Sequence, residues 1–263
     1  MMYICSCTKI TFQLRYFIEL SYKGTNYHGW QLQPNAISIQ ELINNAFTTI
    51  FRTEINVVGA GRTDTGVHAE QLFAHVDFDE EIDSNDIIYR LNSLLPNDIV
   101  INNISKVSKN AHARFDATSR SYEYRIFLGR NPFLTETTWQ LTNKKLNITK
   151  MNEAAKILLN YTNFKSFARA NSNVKTYNCE VKEAVWIVTD KMLTFHITAD
   201  RFLRNMVRAI VGTLLDVGNN KITLEDFKQI IESRDRCNAG TSAPSQGLFL
   251  TSVTYPKTIF MNE

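Results

Sequence analysis

The chain has 263 residues, 44% of them hydrophobic and 21% charged, which excludes wholesale disorder and leaves room for one large domain or two medium ones. The net charge of +3 hides a polarised distribution: residues 1–107 carry 7 basic and 12 acidic side chains (net −5), and residues 108–263 carry 22 and 14 (net +8). The basic half suits a polyanionic partner, although a Lys-rich solvated face would give the same numbers. No apolar run of about 18 residues is present to span a membrane. Residues 1–13 are too interrupted by polar side chains for a signal peptide. Cys5, Cys7, Cys179 and Cys237 are too scattered for a disulfide framework or a zinc site. The expectation is a cytoplasmic protein without a metal.

In chain order, Tyr16, Ile18, Leu20 and Tyr22 alternate along a first strand, residues 15–22. Ser38 and Glu41 have capping-box spacing ahead of an amphipathic helix over 39–51. Strands follow at 54–58 and around Leu72–Phe78, and an acidic run from Asp77 to Asp86 opens a helix ending near Leu95. Residues 99–107 read as another strand. The second half repeats the style. It has a strand at 119–128, a helix at 149–160 and a hairpin of 181–188 with 192–199. A long helix covers 202–217 and stops at Gly218-Asn219-Asn220. Thr223 caps a further helix, and a strand runs over 248–255. The pattern is α+β: two similar halves, 15–107 and 108–263, share one sheet with helices on one face and a cleft between them. Residues 1–14 form an N-terminal extension.

Three segments concentrate chemistry. In Gly59-Ala60-Gly61-Arg62-Thr63-Asp64-Thr65-Gly66-Val67-His68-Ala69, three glycines permit tight turns and close ligand approach around a single acid. An ionised Asp64 can act as nucleophile or base, and a neighbouring arginine favours that ionised form. The blander reading is a turn in which Asp64 caps backbone N–H groups and Arg62 is a surface partner. Asp64-Thr65-Gly66 is also the tripeptide of aspartic proteases, but those need two aspartates, and this chain has one such triplet among many helical segments.

The second segment runs from Arg114 to Arg125. Basic residues interleave there with Phe115, Tyr122 and Tyr124, the pattern of phosphate contacts beside base-stacking rings. Tyr124 reads as a core residue, while Tyr122 stays open between core and site. In the third segment, Arg201, Arg204 and Arg208 recur at helical spacing near a helix start, where cations can hold phosphate.

Together these segments resemble the TruA family of tRNA pseudouridine synthases, over about residues 15–255. Five ordered motifs carry the resemblance: Ile18-Glu19-Leu20-Ser21-Tyr22-Lys23-Gly24-Thr25-Asn26-Tyr27-His28-Gly29-Trp30-Gln31, Gly61 to Ala69, Ala113 to Tyr122, Phe202-Leu203 with Met206-Val207-Arg208 and Gly212, and Ala243-Pro244 with Gly247 to Leu250. Thr65 stands where the family often has alanine. Arg204-Asn205 occupy a variable pair and are assigned no catalytic role.

The resemblance implies a pseudouridine synthase fold with a mixed, mostly antiparallel sheet. It implies isomerisation of uridine to pseudouridine in the anticodon stem-loop of tRNA, without cofactor or metal, by a homodimer. It makes Asp64 the nucleophile, attacking ribose or uracil, on a uridine flipped into the pocket. Tyr122 would stack on the uracil and help remove its C5 proton, and Arg208 would pair with Asp64. Arg62 and Arg114 would hold substrate, and Leu248 would wall the pocket. A non-catalytic tRNA-binding protein of the same fold is the alternative; it has no use for a carboxylate inside a polyanion site.

Overall fold

The computed structural model describes residues 13–142, 145–170 and 174–261. Most of the expected extension 1–14, with Cys5 and Cys7, lies outside the described residues. Nine strands form one sheet: β1 (Leu14–Tyr22), β2 (Val58–Gly59), β3 (His68–Phe78), β4 (Ile99–Val107), β5 (Ser119–Leu128), β6 (Trp139–Leu141), β7 (Val181–Thr189), β8 (Met192–Ala199) and β9 (Leu248–Thr254). Their order is β4-β1-β3-β9-β5-β8-β7, with β2 added to β3 and β6 to β5. Pairing is antiparallel except for β3 with β9 and β5 with β6, so the sheet is mixed and mostly antiparallel. Its two wings join where His68 pairs with Phe249 and Ala69 with Leu250.

Among the described residues, five α-helices accompany the sheet: α1 (Ile39–Phe51), α2 (Ser84–Leu94), α3 (Ile148–Ile157), α4 (Met206–Gly218) and α5 (Leu224–Ser233). The capping box at the start of α1 forms as the spacing requires, with Glu41 N–H donating to Ser38 Oγ at 3.3 Å. Ile39, Ile43 and Phe47 then bury against the even-numbered side of β1 (Tyr16, Ile18, Leu20) and against Phe78. Asp83 caps α2 by accepting from Asn85 and Asp86 N–H, so the acidic run is structural at its end. On the other wing, Tyr124, Phe195 and Trp186 are cross-strand partners on one face. They share a core with Met151 and Ala154 of α3 and Ile210 and Leu214 of α4.

The opposite face of the first wing is covered by chain from beyond β9: Tyr255 and Phe260 pack edge-on to Phe17. On the second wing that face carries Glu123, Arg125 and His196 in partly exposed ion pairs.

Three expected elements differ. The long helix begins at Met206 rather than 202, because Asn205 adopts the left-handed conformation (φ 66°) and breaks the helical path just before it. The strand expected at 54–58 shrinks to β2. The helix expected at 149–160 ends at Ile157 and tightens into a 3-10 turn over Leu158–Asn160. β6, three residues long, is too short to show any period.

Candidate active site

Asp64 sits in the loop from β2 to β3, and that loop is held from both sides. Trp30 N–H donates to Thr63 O at 3.3 Å, Gly66 N–H to Tyr27 O at 3.2 Å, and Val67 N–H to Asp64 O at 3.1 Å. The Thr63 hydroxyl, buried, bonds the Tyr22 hydroxyl at 2.8 Å. Gly29 is where the facing loop touches: at φ 86° and with a Cβ position only 2.3 Å from Thr63 O, no other residue fits without moving the aspartate loop. Beyond it, His68 ties the loop to the other wing. Its Nδ1 accepts from Gly24 N–H at 3.0 Å, its Nε2 faces Gln246 O at 3.1 Å, and its ring stacks on Phe249.

Two guanidinium groups flank the Asp64 carboxylate. Arg208 Nη1 lies 3.6 Å from Oδ2 and Arg204 Nε lies 3.5 Å from Oδ1. Arg208, on the first turn of α4, is anchored by Nε donating to Ala243 O at 2.6 Å. That anchor holds because Gly212 lets α4 run against segment 241–243, where a Cβ would meet Thr241 O at 1.8 Å. Beside Asp64 opens a cavity of about 470 Å³, lined by Asp64, Thr65, Arg169, Arg204, Asn205, Arg208 and Ser245. It is strongly basic, with one carboxylate among three arginines. Among the described residues no group of three or more His, Cys, Asp or Glu side chains could hold a metal ion.

The other residues singled out from sequence are distributed as follows. Tyr122 lies on β5, partly buried, its ring edge-on to Phe202 at 5.1 Å. Burial pushes its phenol up to about 12; Arg120 opposes that shift, and the nearby Asp64 charge adds to it. Arg62 is exposed and donates from Nε to Gln31 Oε1 at 3.2 Å. Arg114 is exposed on the turn before β5, its guanidinium over Phe115 at 5.7 Å. Leu248 is buried at the start of β9 in the second core, and the nearby residue on the cavity wall is Ser245. Arg201 and Arg204 precede α4, so the three arginines do not share a helix face. Arg204 nonetheless reaches Asp64.

Sequence reasoning missed two residues. One is Arg204, set aside as variable. Its recurrence with Arg201 and Arg208 near a helix start was one signal, and Asn205, a residue type that favours the left-handed conformation and so a turn, was another. The other is Arg120, which is partly buried and donates to four carbonyls: Ala117 O at 3.0 Å, Asp200 O at 2.8 Å, Ala60 O at 3.2 Å and Arg114 O at 2.6 Å. These carbonyls belong to the strand entering the Asp64 loop, the Arg114 turn and the exit of β8, so one side chain fastens three segments around the site.

A histidine supports the same turn. His75 is buried, and its Nδ1 accepts from Ala113 N–H at 3.2 Å, which requires an unprotonated nitrogen. Burial, then the charges of Arg15 and His112, push its pKa down from 6.5 to about 4. Between those values the unfolded chain binds a proton that the folded chain refuses. The contribution to stability is therefore complete above pH 6.5 and is lost as pH falls through 4, a change of about 3 kcal/mol. Denaturant midpoints measured from pH 7 to 4 should fall less steeply in His75→Asn than in the parent. Equal slopes would remove His75 as a cause. His112, lowered mainly by burial, adds its own share to both proteins.

Comparison with known proteins places this geometry in context. A family model described as tRNA pseudouridine synthase matches residues 154–256. A protein from Bacteroides fragilis named tRNA pseudouridine synthase A is 50% identical over 248 residues, 94% of this chain and 98% of that protein. Proteins of the same name from Bacteroides thetaiotaomicron (48% over 95% of this chain and 93% of that protein) and Acetivibrio thermocellus (39% over 90% and 97%) are similar along their length.

Proposed function

Because the chain belongs to the tRNA pseudouridine synthase A family, we propose that Asp64 is its nucleophile and that the basic cavity receives a uridine flipped out of the anticodon arm. The enzyme is an isomerase that converts uridine in tRNA to pseudouridine. The observation that carries the site assignment is the Asp64 carboxylate, held between Arg204 and Arg208 at the wall of a cavity whose other charged residues are all arginines. A site that only bound RNA would gain nothing from a carboxylate there, since it repels phosphate.

The reaction breaks the bond between uracil N1 and ribose C1′ and joins C1′ to C5. The Asp64 carboxylate adds either to C1′, expelling uracil with the N1 electron pair, or to C6 of the ring, in which case the N1–C1′ bond then breaks with its electron pair staying on the uracil adduct. After rotation C5 bonds to C1′, the carboxylate leaves, the C5 proton departs and N1 gains a proton. Arg208, fixed by Ala243 O, orients the carboxylate for this addition. A uridine inside a duplex or a stacked loop is out of reach of Asp64, so the nucleotide must be extruded. Tyr122 offers its ring for stacking on the uracil. Its phenol, pushed up to about 12, is protonated at neutral pH, so its ring is the first thing it offers. Arg62, two residues before Asp64, and Arg114 are both exposed and suit the extruded backbone, while Leu248 is buried in the second core three residues beyond Ser245 of the cavity wall. No step calls for a cofactor. We place the enzyme in the cytoplasm as a homodimer, with the basic C-terminal halves of two subunits lining one tRNA surface.

The test is incubation with tRNA lacking modification, followed by chemical mapping. Pseudouridine confined to the anticodon arm is the expected result. Binding without product would favour the non-catalytic reading.

A further inference from the structure

The three arginines of the cavity are not equivalent. Arg208 is held by Ala243 O and its side chain is 21% exposed; Arg204 is 60% exposed, with Nε 3.5 Å from Asp64 Oδ1. The backbone beneath Arg204 is nevertheless rigid. Its carbonyl accepts from Arg169 N–H at 3.0 Å. The next residue, Asn205, is locked in the left-handed conformation, with Nδ2 donating to Ser242 Oγ at 2.6 Å. That same Oγ accepts from Arg236 at 2.9 Å. A long, largely exposed cationic side chain therefore extends from a fixed pivot, with Arg169 on the same wall and the N-terminus of α4 just behind it.

An extruded uridine brings its own phosphodiesters to this cavity, and each is repelled by Asp64. A cation able to move from carboxylate to phosphate removes that conflict without leaving Asp64 unpaired, because Arg208 stays. We propose that Arg204 is a phosphate-binding and positioning residue: it shields Asp64 in the free enzyme and transfers, alongside Arg169, to a phosphodiester flanking the target uridine. The inference rests on Asp64 being the nucleophile. It assigns the two arginines different work, Arg208 to orienting the carboxylate and Arg204 to docking the backbone.

Arg204→Gln and Arg204→Lys separate these roles. Affinity for unmodified tRNA, measured across a series of salt concentrations, should weaken about tenfold in Arg204→Gln. Its slope of log K against log salt should flatten by about 0.7–0.9, the share of one phosphate contact. KM should rise by a similar factor while kcat falls much less. Arg204→Lys should restore most of the salt slope. The thermal midpoint should hardly move, because the side chain is exposed. An unchanged salt slope, or a loss confined to kcat, would overturn the proposal and leave Arg204 as a partner of Asp64 only. Retained product formation in Asp64→Asn would instead remove the premise, whatever Arg204 does.

Discussion

Asp64→Asn is expected to fold, hold tRNA and make no pseudouridine. Asparagine keeps the shape of the side chain and loses both the charge and the nucleophilic oxygen pair, so covalent addition has no attacking group. Removing an essential nucleophile typically costs on the order of 10⁴ or more in rate, with only binding and orientation left behind. The loop should survive, because its position depends on backbone bonds to Trp30 and Tyr27 and on the Thr63–Tyr22 contact rather than on the carboxylate. The two ion pairs it gives up are long and partly solvated, the kind worth about 0–1 kcal/mol. Rate of product formation, tRNA affinity and denaturant midpoint should therefore part company: the first collapses and the other two stay near the parent values. Turnover by Asp64→Asn near the parent rate would falsify the assignment of the nucleophile.

The second large effect lies outside the cavity. Arg120→Met keeps the length of the stem and deletes the donors that serve Ala60, Arg114, Ala117 and Asp200. Their carbonyls would then have to find water in a partly closed space. The loss of these charge-assisted bonds is worth about 3 kcal/mol of stability. Activity should drop further than that figure suggests. Small displacements of reacting groups, of about 1 Å, can cost about a hundredfold in rate, and Arg120 sets the spacing between the Asp64 loop, the Arg114 turn and the chain leading to Arg204. Urea midpoints and single-turnover rates on tRNA would check both effects. Arg120→Lys, with one compact donor group in place of a planar fork, should recover little of either. An unchanged midpoint with unchanged turnover would show that the four bonds are dispensable.

Much of this molecule could be read from side-chain pattern. Alternation along residues 119–128, the Ser38–Glu41 capping box, the Thr223 cap and the 181–199 hairpin are all governed by neighbours within a few residues, and all formed as their spacing requires. The start of α4 was misplaced for the opposite reason. Apolar spacing runs back smoothly to Phe202, yet the chain path turns on the φ of Asn205, which periodicity does not carry. The site divides along the same line. Asp64, Tyr122 and Arg208 announce themselves through ordered motifs. Arg204 approaches Asp64 only because of that turn, and the acceptors of Arg120 come from positions up to 80 residues away. Contacts of that span follow from strand order in the sheet, which no local signal encodes.

The placing of β9 between β3 and β5 also governs when the enzyme can come into being. During synthesis from the N-terminus, the His68–Ala69 end of β3 and the Ser119–Tyr124 stretch of β5 must wait without their β9 partner until residues 248–254 leave the ribosome. The turn supplying Ser245, and the Ala243 carbonyl that anchors Arg208, arrive at nearly the same moment. Nascent chains therefore carry the Asp64 loop long before they carry a closed cavity around it. Such long-range pairing makes folding slow and its completion late. A ribosome stalled before that stretch would display a half-sheet open to capture by a chaperone or by another unfinished chain, and it would not display a prematurely active synthase.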